Sequence, residues 1–214
     1  MKGSVCLAEI KFGSREDKEK GKKKDEQSAI PLHWRLEKYF KDIPADKMKM
    51  FKVFYDELVK FNKKVNLISV KTIPYADVIH FSDSILASRI IFNSHKISAI
   101  NDLGSGNGFP GLVFGILYPE VTVTLVEKDS RKGEFLKHLI DLLKVKNVVV
   151  NRTLVELLPE SSMTYAMTRG LGPLGKTMIV SSKLFPQGGV FFHLKGEEWA
   201  TELAQVPAQV CSFW

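Results

Sequence analysis

Cysteine is scarce in this sequence, and no apolar run is long enough to cross a bilayer. Only Cys6 and Cys211 occur, near opposite ends of the 214 residues. Neither stands in a paired spacing with histidine or another cysteine. That excludes a disulfide framework and a zinc-binding motif, and leaves two free thiols. A membrane helix needs about 20 consecutive apolar residues. The stretch 97–126 comes closest, but glycines, Pro110, Pro119 and acidic residues break it. The first ten residues hold a short apolar patch without the hydrophobic region and cleavage site of a secretory leader. A cytoplasmic chain with neither metal nor membrane partner is expected. No internal repeat is present.

What is there is globular. Hydrophobic residues make up 44% and charged residues 26%, the balance of a chain that buries a core. The length suits one ordinary domain with a smaller appendage. The formal charge of +7 is unevenly spread: residues 1–28 carry +2, residues 29–95 carry +4, and residues 96–214 carry only +1. A basic half beside a nearly neutral half suits a polyanion such as RNA. A solvated basic surface without a partner accounts for it equally well. Residues 1–28 read as a basic flexible tail, whose Lys22-Lys23-Lys24 run is better explained by solvation than by phosphate contact.

Ordered structure is expected from about Ile30. Pro44, Asp46 and the periodic Phe51, Phe54, Leu58 and Phe61 mark a capped amphipathic helix running to about Asn62. A second helix is expected over 78–92, with His80, Asp83 and Ser84 on one face. Residues 29–95 thus form an N-terminal helical region. From residue 97 onward apolar runs alternate with helical stretches. Strands are expected at 97–103, 121–126, 148–150, 165–168, 190–194 and 209–213, and helices at 112–117, 130–144 and 174–184. Strands separated by crossover helices predict an α/β domain over 96–214, with a doubly wound, mostly parallel sheet. Ligands of such sheets sit at the carboxyl ends of the strands.

The first strand runs into Asp102-Leu103-Gly104-Ser105-Gly106-Asn107-Gly108. Gly104, Gly106 and Gly108 have no β-carbon to block a nucleotide-like ligand, and the following helix points its amino end at that ligand. The loop lacks the Gly-Lys-Ser/Thr ending of a phosphate loop. A dinucleotide fingerprint can be laid over residues 106–111, but weakly. A methyl-donor loop uses more of the segment, because Asp102 precedes the glycines and can hold an ammonium group or a water bound to one. Turn capping is the plainer role for Asp102. Glu127, closing the second strand, can accept from both ribose hydroxyls, and dinucleotide enzymes keep an acid there too.

Further residues extend the pattern. Asn62-Lys63-Lys64-Val65-Asn66-Leu67-Ile68-Ser69, then His80 and Asp83-Ser84, resembles an Asn-Lys-x-x-Asn-Leu-Thr-Ser … His-x-x-Asp-Ser signature. Residues 102–111, ending in Phe109-Pro110-Gly111, resemble an Asp-x-Gly-x-Gly-x-Gly-hydrophobic-Pro-Gly loop. Arg169 and Leu194-Lys195-Gly196 complete the series. Together, over about residues 35–200, these resemble the RsmG (glucose-inhibited division protein B) family. Its members methylate N7 of a guanine in 16S rRNA of the small ribosomal subunit with S-adenosylmethionine.

The resemblance implies a Rossmann-like class I methyltransferase fold and a set of roles. Asp102, Gly104, Gly106, Gly108, Phe109 and Glu127 would hold the donor, and Val155-Glu156 would flank its adenine. Arg169 would lie near the donor or a target phosphate, with a surface ion pair as the plainer role. Lys60, Lys63, Lys64 and Lys71 would face RNA. For Lys195, phosphate contact and a solvated strand end are equally suited. His80 reads as a structural histidine facing Asp83 rather than a base. Thr168-Arg169-Gly170 departs from the family's Ser-Arg-Ala. The chain stops at Trp214, after the expected sixth strand, where the family continues with a hairpin and a seventh.

Guanine N7 has a free lone pair and loses no proton on methylation, so the implied reaction needs alignment and no general base. The chain accordingly has neither the Asn-Pro-Pro-aromatic motif used for exocyclic amines nor a Pro-Cys nucleophile. A monomer acting on the small subunit is expected. A small-molecule methyltransferase and a non-catalytic RNA-binding protein with the same fold are the alternatives.

Overall fold

A computed structural model describes residues 33–211. The expected tail, the start near Ile30, Cys6 and the last three residues lie outside the described residues, as does the side chain of Cys211.

The helical layer comes first: α1 (Leu36–Tyr39), α2 (Ala45–Asn62), a 3-10 segment (Val70–Tyr75), a π-helical turn (Asp77–Ser82) and α3 (Asp83–Ser94). In α2, Met48, Phe51, Phe54, Tyr55 and Leu58 fall on one stripe and are buried, whereas Phe61 is half-buried. Each buried aromatic or leucine contributes about 1.5–3 kcal/mol by leaving water. The expected cap is absent: Pro44 stands at the N-cap, and Asp46 sits in the first turn without a capping bond. Its carboxylate still favours the positive end of the helix dipole.

The sheet follows: β1 (Ala99–Leu103), α4 (Gly111–Leu117), β2 (Thr122–Val126), α5 (Ser130–Leu143), β3 (Val148–Asn151), β4 (Tyr165–Arg169), α6 (Leu174–Ser181) and β5 (Val190–Leu194). Its five strands are all parallel in the order β3-β2-β1-β4-β5. The order reverses between β1 and β4, so the crevice for a ligand opens there, at the carboxyl ends of the strands. One hydrophobic core joins the two layers: Phe51, Phe54, Leu58 and Phe81 pack with Phe109, Leu112 and Phe135.

Residues 209–211 of the expected sixth strand are helical. After β5 come α7 (Trp199–Ala204) and α8 (Ala208–Cys211). Both pack on α6, and Val210 is buried. Pro207 starts the turn of α8, its carbonyl accepting from Val210 N at 2.8 Å. No helix among the described residues is long and apolar enough to cross a membrane.

Asp77 fastens the helical layer. Its fully buried carboxylate accepts from Arg35 Nε at 2.9 Å, Arg35 Nη2 at 2.8 Å and Arg35 N at 2.9 Å. Burial works to raise this carboxyl, but the Arg35 bonds outweigh it and hold it below its ordinary value. The pair therefore stabilises the fold fully above the unfolded carboxyl's value, about 3.9, and the contribution is lost as pH falls through the folded value. Arg35→Ala should cost about 3–5 kcal/mol at neutral pH by stranding a buried charge. Its deficit in thermal unfolding should shrink as the pH is lowered and the carboxyl protonates. A deficit independent of pH would exclude this role.

Candidate active site

At the end of β1 the chain turns through glycines that the geometry demands. Gly104 has φ +75, and a β-carbon there would lie 2.7 Å from Leu171 Cδ1. Gly106, at φ +54, donates its N–H to Glu127 Oε2 at 2.7 Å. Glu127 stands directly after β2 and also accepts from Asp129 N at 2.7 Å. Asp129 in turn caps α5 by accepting from Arg131 N and Lys132 N. The Phe109–Pro110 peptide is cis, and α4 begins at Gly111.

Above this loop lies a cleft of about 530 Å³. Gly104, Gly106, Phe109, Glu127, Val155, Glu156 and Arg169, all expected at the ligand, line it. Two expected residues do not. Asp102 is fully buried behind the loop, where Oδ2 accepts from Gly111 N at 3.1 Å and Oδ1 has no partner among the described residues. Burial pushes its carboxyl up to about 7, against the opposing Gly111 bond. It shapes the loop from below, and the expectation of an ammonium contact is corrected. Gly108 is the second correction: its missing side chain would point at Leu136 and Phe54, each 3.1 Å away, so it serves packing.

Arg169 extends from the end of β4 into the cleft. Its guanidinium donates to Asp83 Oδ2 at 2.9 Å and to His80 Nδ1 at 3.2 Å, and lies 5.5 Å from the centre of the Phe109 ring. Burial, then the Arg169 charge, lower His80 to about 4, so it is neutral at physiological pH. An Nδ1 that accepts from arginine leaves the proton on Nε2, which faces Thr72 Oγ1 at 3.5 Å. The expected His80–Asp83 pairing is thus replaced by two separate bonds to Arg169. The π-helical turn at 77–82 presents His80, and such turns are frequent at functional sites.

The basic residues divide. Lys63, Lys64 and Lys71 are exposed, and Lys60 is exposed but paired with Glu57 at 3.0 Å. Asn62 folds the segment after α2 by accepting from Leu67 N and Ile68 N and donating to Ile68 O. That turn brings Leu67 into the cleft wall, where its carbonyl accepts from Asn107. Lys195 is neither solvated nor free for phosphate: it donates to Gly172 O at 2.6 Å and to Glu202 at 2.7 Å. Lys128, Lys132 and Lys176 line the cleft and were missed. The first two follow Glu127 in sequence, one and five residues after it.

Lys176 also belongs to a Gly170-x-x-x-x-Gly175-Lys176-Thr177 run that leads from the end of β4 into the first turn of α6 and matches phosphate-loop spacing. The structure argues against that use. Leu174 N is donated to Glu202 Oε2 at 2.8 Å, and Thr177 Oγ1 is turned back onto the carbonyls of Pro173 and Leu174.

A family model described as rRNA small subunit methyltransferase G matches residues 47–213. The chain belongs to this family. It is 47% identical over 194 residues to ribosomal RNA small subunit methyltransferase G 3 of Bdellovibrio bacteriovorus, covering 90% of this chain and 88% of that one. It is 32% identical over 148 residues to ribosomal RNA small subunit methyltransferase G of Paracoccus denitrificans, covering 69% and 76%. A Klebsiella pneumoniae structure assigned as an O-methyltransferase shares the fold at TM-score 0.50 and 14% identity, over 81% of this chain and 82% of that one.

The family's donor is S-adenosylmethionine, and the residues present fit it. The cleft is of cofactor size, the Glu127 carboxylate lines it directly after β2, and Gly104 lines it at a positive φ. Gly104→Val, strained at a positive φ and colliding with Leu171, should abolish donor binding in calorimetry; unchanged affinity would remove the loop from the site. Asp102, raised above its unfolded value, binds a proton in the folded state that the unfolded chain has lost between about pH 4 and 7. Its contribution to stability therefore falls as pH rises through that window. Relative to the parent, Asp102→Asn should gain melting temperature between about pH 4 and 7 and no further above it; a flat difference would contradict the buried, raised carboxyl.

Proposed function

We propose that this chain transfers a methyl group from S-adenosylmethionine to N7 of a guanine in 16S rRNA of the small ribosomal subunit. The observation that carries the reading is the convergence of three separated sequence elements at one cleft. Phe109 of the donor loop, His80 and Asp83 of the helical layer, and Arg169 after β4 meet within one set of contacts.

When bound, S-adenosylmethionine supplies an electrophilic methyl group that needs no further activation. Glu127 is placed to accept from ribose hydroxyls, with Val155 and Glu156 beside the base end of the cleft. Phe109 closes the floor. N7 attacks with a free lone pair, so the chain's task is orientation and exclusion of water. The state of His80 agrees with this: its Nδ1 is taken by Arg169, and it has no role to play as a base.

RNA is held, in this reading, by lysines on two rims. Lys63 and Lys64 stand on the turn that leads to Leu67 in the cleft wall, and Lys128, Lys132 and Lys176 line the other parts of the mouth. Lys60 and Lys71 extend the first rim; Lys195, engaged within the chain, serves the fold. Phosphate contacts of this kind set affinity and its salt dependence, while base contacts set specificity.

The deciding experiment is to incubate the protein with labelled donor and unmodified small subunits and map the modified base. A labelled N7-methylguanine in 16S rRNA is the expected result. Label on small acceptors but not on subunits would place the chain among small-molecule methyltransferases, and failure to bind donor would leave an RNA-binding protein. Reversing Lys63 and Lys64 to Glu should weaken RNA binding and flatten the plot of log affinity against log salt by roughly 0.7–0.9 for each phosphate no longer neutralised. Donor affinity should stay unchanged. An unaltered salt slope would take this rim out of the RNA path.

A further inference from the structure

We infer that Arg169 reads the O6 carbonyl of the target guanine and so selects guanine over adenine, an assignment that rests on the function proposed above. The cleft has two ends. Glu127 stands after β2 and Arg169 after β4, on either side of β1, whose loop lies between them. With the acid at the donor's ribose, the arginine falls to the acceptor.

The guanidinium is held rather than free. Its hydrogen bonds to Ile79 O, Asp83 Oδ2 and His80 Nδ1 engage both N–H groups of Nη1 and one of Nη2. That leaves the Nε–H and one Nη2–H without an acceptor among the described residues. The group is largely buried and rests over the Phe109 ring. Asp83 at 2.9 Å already balances its charge, which makes it a poor anchor for a phosphate and a good donor to a neutral carbonyl.

The Hoogsteen edge of guanine offers two acceptors, O6 and N7. N7 must keep its lone pair for the methyl group, so O6 is the atom that remains for the arginine. Adenine presents an amino group at that place, which would set donor against donor and leave both unsatisfied. Asp83 has a second effect: N7-methylguanine is cationic, and the carboxylate beside Arg169 keeps the acceptor end from repelling it.

The test uses small subunits reconstituted with 16S rRNA that carries guanine, inosine or 2-aminopurine at the mapped base. All three keep N7; inosine keeps O6, and 2-aminopurine lacks it. The wild-type protein should methylate inosine within a few-fold of guanine, and 2-aminopurine about 10- to 100-fold more slowly in kcat/KM, the range of a hydrogen bond to a charged group. Arg169→Gln should be slow on all three and bring the inosine to 2-aminopurine ratio to near one. A purely structural role for Arg169, bracing the turn that carries His80, would lower every rate and the melting temperature but leave the ratio as in the wild type. Equal wild-type rates on inosine and 2-aminopurine, or an unchanged ratio in the variant, overturn the assignment. The wild-type series alone decides it if the variant does not fold. No methylation of the guanine subunits would overturn the proposed reaction itself, and this assignment with it.

Discussion

Phe109 ties the two layers of the molecule to one another and to the cleft. Its ring stacks on Phe54 at 4.8 Å and on His80 at 5.4 Å, and meets Phe81 edge-on at 4.8 Å. Each such pair adds about 0.5–1.5 kcal/mol to what burial already contributes, so the energy is mostly hydrophobic and the stacking chiefly fixes direction. That direction matters more than its energy. With Phe109 fixed between helix and π-helical turn, the glycines before it can approach a ligand, and Arg169 has a surface on which to lie. The helical layer is therefore part of the site's wall, through Leu67 and the residues that hold Arg169.

Two buried acids show how position alone separates their chemistry. Asp77 and Asp102 are both fully buried. Asp77 accepts three bonds from Arg35 and is held ionised. Asp102 has one backbone donor for Oδ2 and none among the described residues for Oδ1, and burial pushes it up to about 7. The first acts as a fastening that works over the whole physiological range. The second sits under the donor loop with its ionisation poised, so that a positive group arriving above the loop would favour the charged form.

Local rules were enough for most of the fold. The apolar run ending at Leu103, the β-branched run ending at Val126 and the apolar stripe of α2 mark elements whose period is set by neighbouring residues. The end of the chain was harder, because Val210 lies at the boundary where a strand and a helical turn share one apolar spacing and packing on α6 decides. At the candidate site, the position of Gly104, Gly106 and Glu127 around the cleft was legible because a tight turn after β1 and an acid after β2 are local features. The behaviour of Asp102, Gly108 and Lys195 was not. Asp102 points to the far side of its own loop, and Gly108 faces residues on α2 and α5. Lys195 meets an acid that the sequence places seven residues away on a separate helix. Each depends on which face of a turn points inward, a fact of tertiary structure.

Charge gives the sharpest instance of that limit. The α/β part sums to only +1, which suggests a neutral cleft with its basic rim elsewhere. The sum counts every acid alike, however. Asp102 is fully buried and raised to about 7, and Glu127 is buried with both oxygens taken by backbone N–H groups. Asp102 therefore projects little negative charge to the surface. Lys128, Lys132 and Lys176 stand at the mouth without a salt bridge among the described residues, so the field there is more positive than the sum implies. The mouth is basic because Lys128, Lys132 and Lys176 reach the cleft while Asp102 is buried beneath the loop.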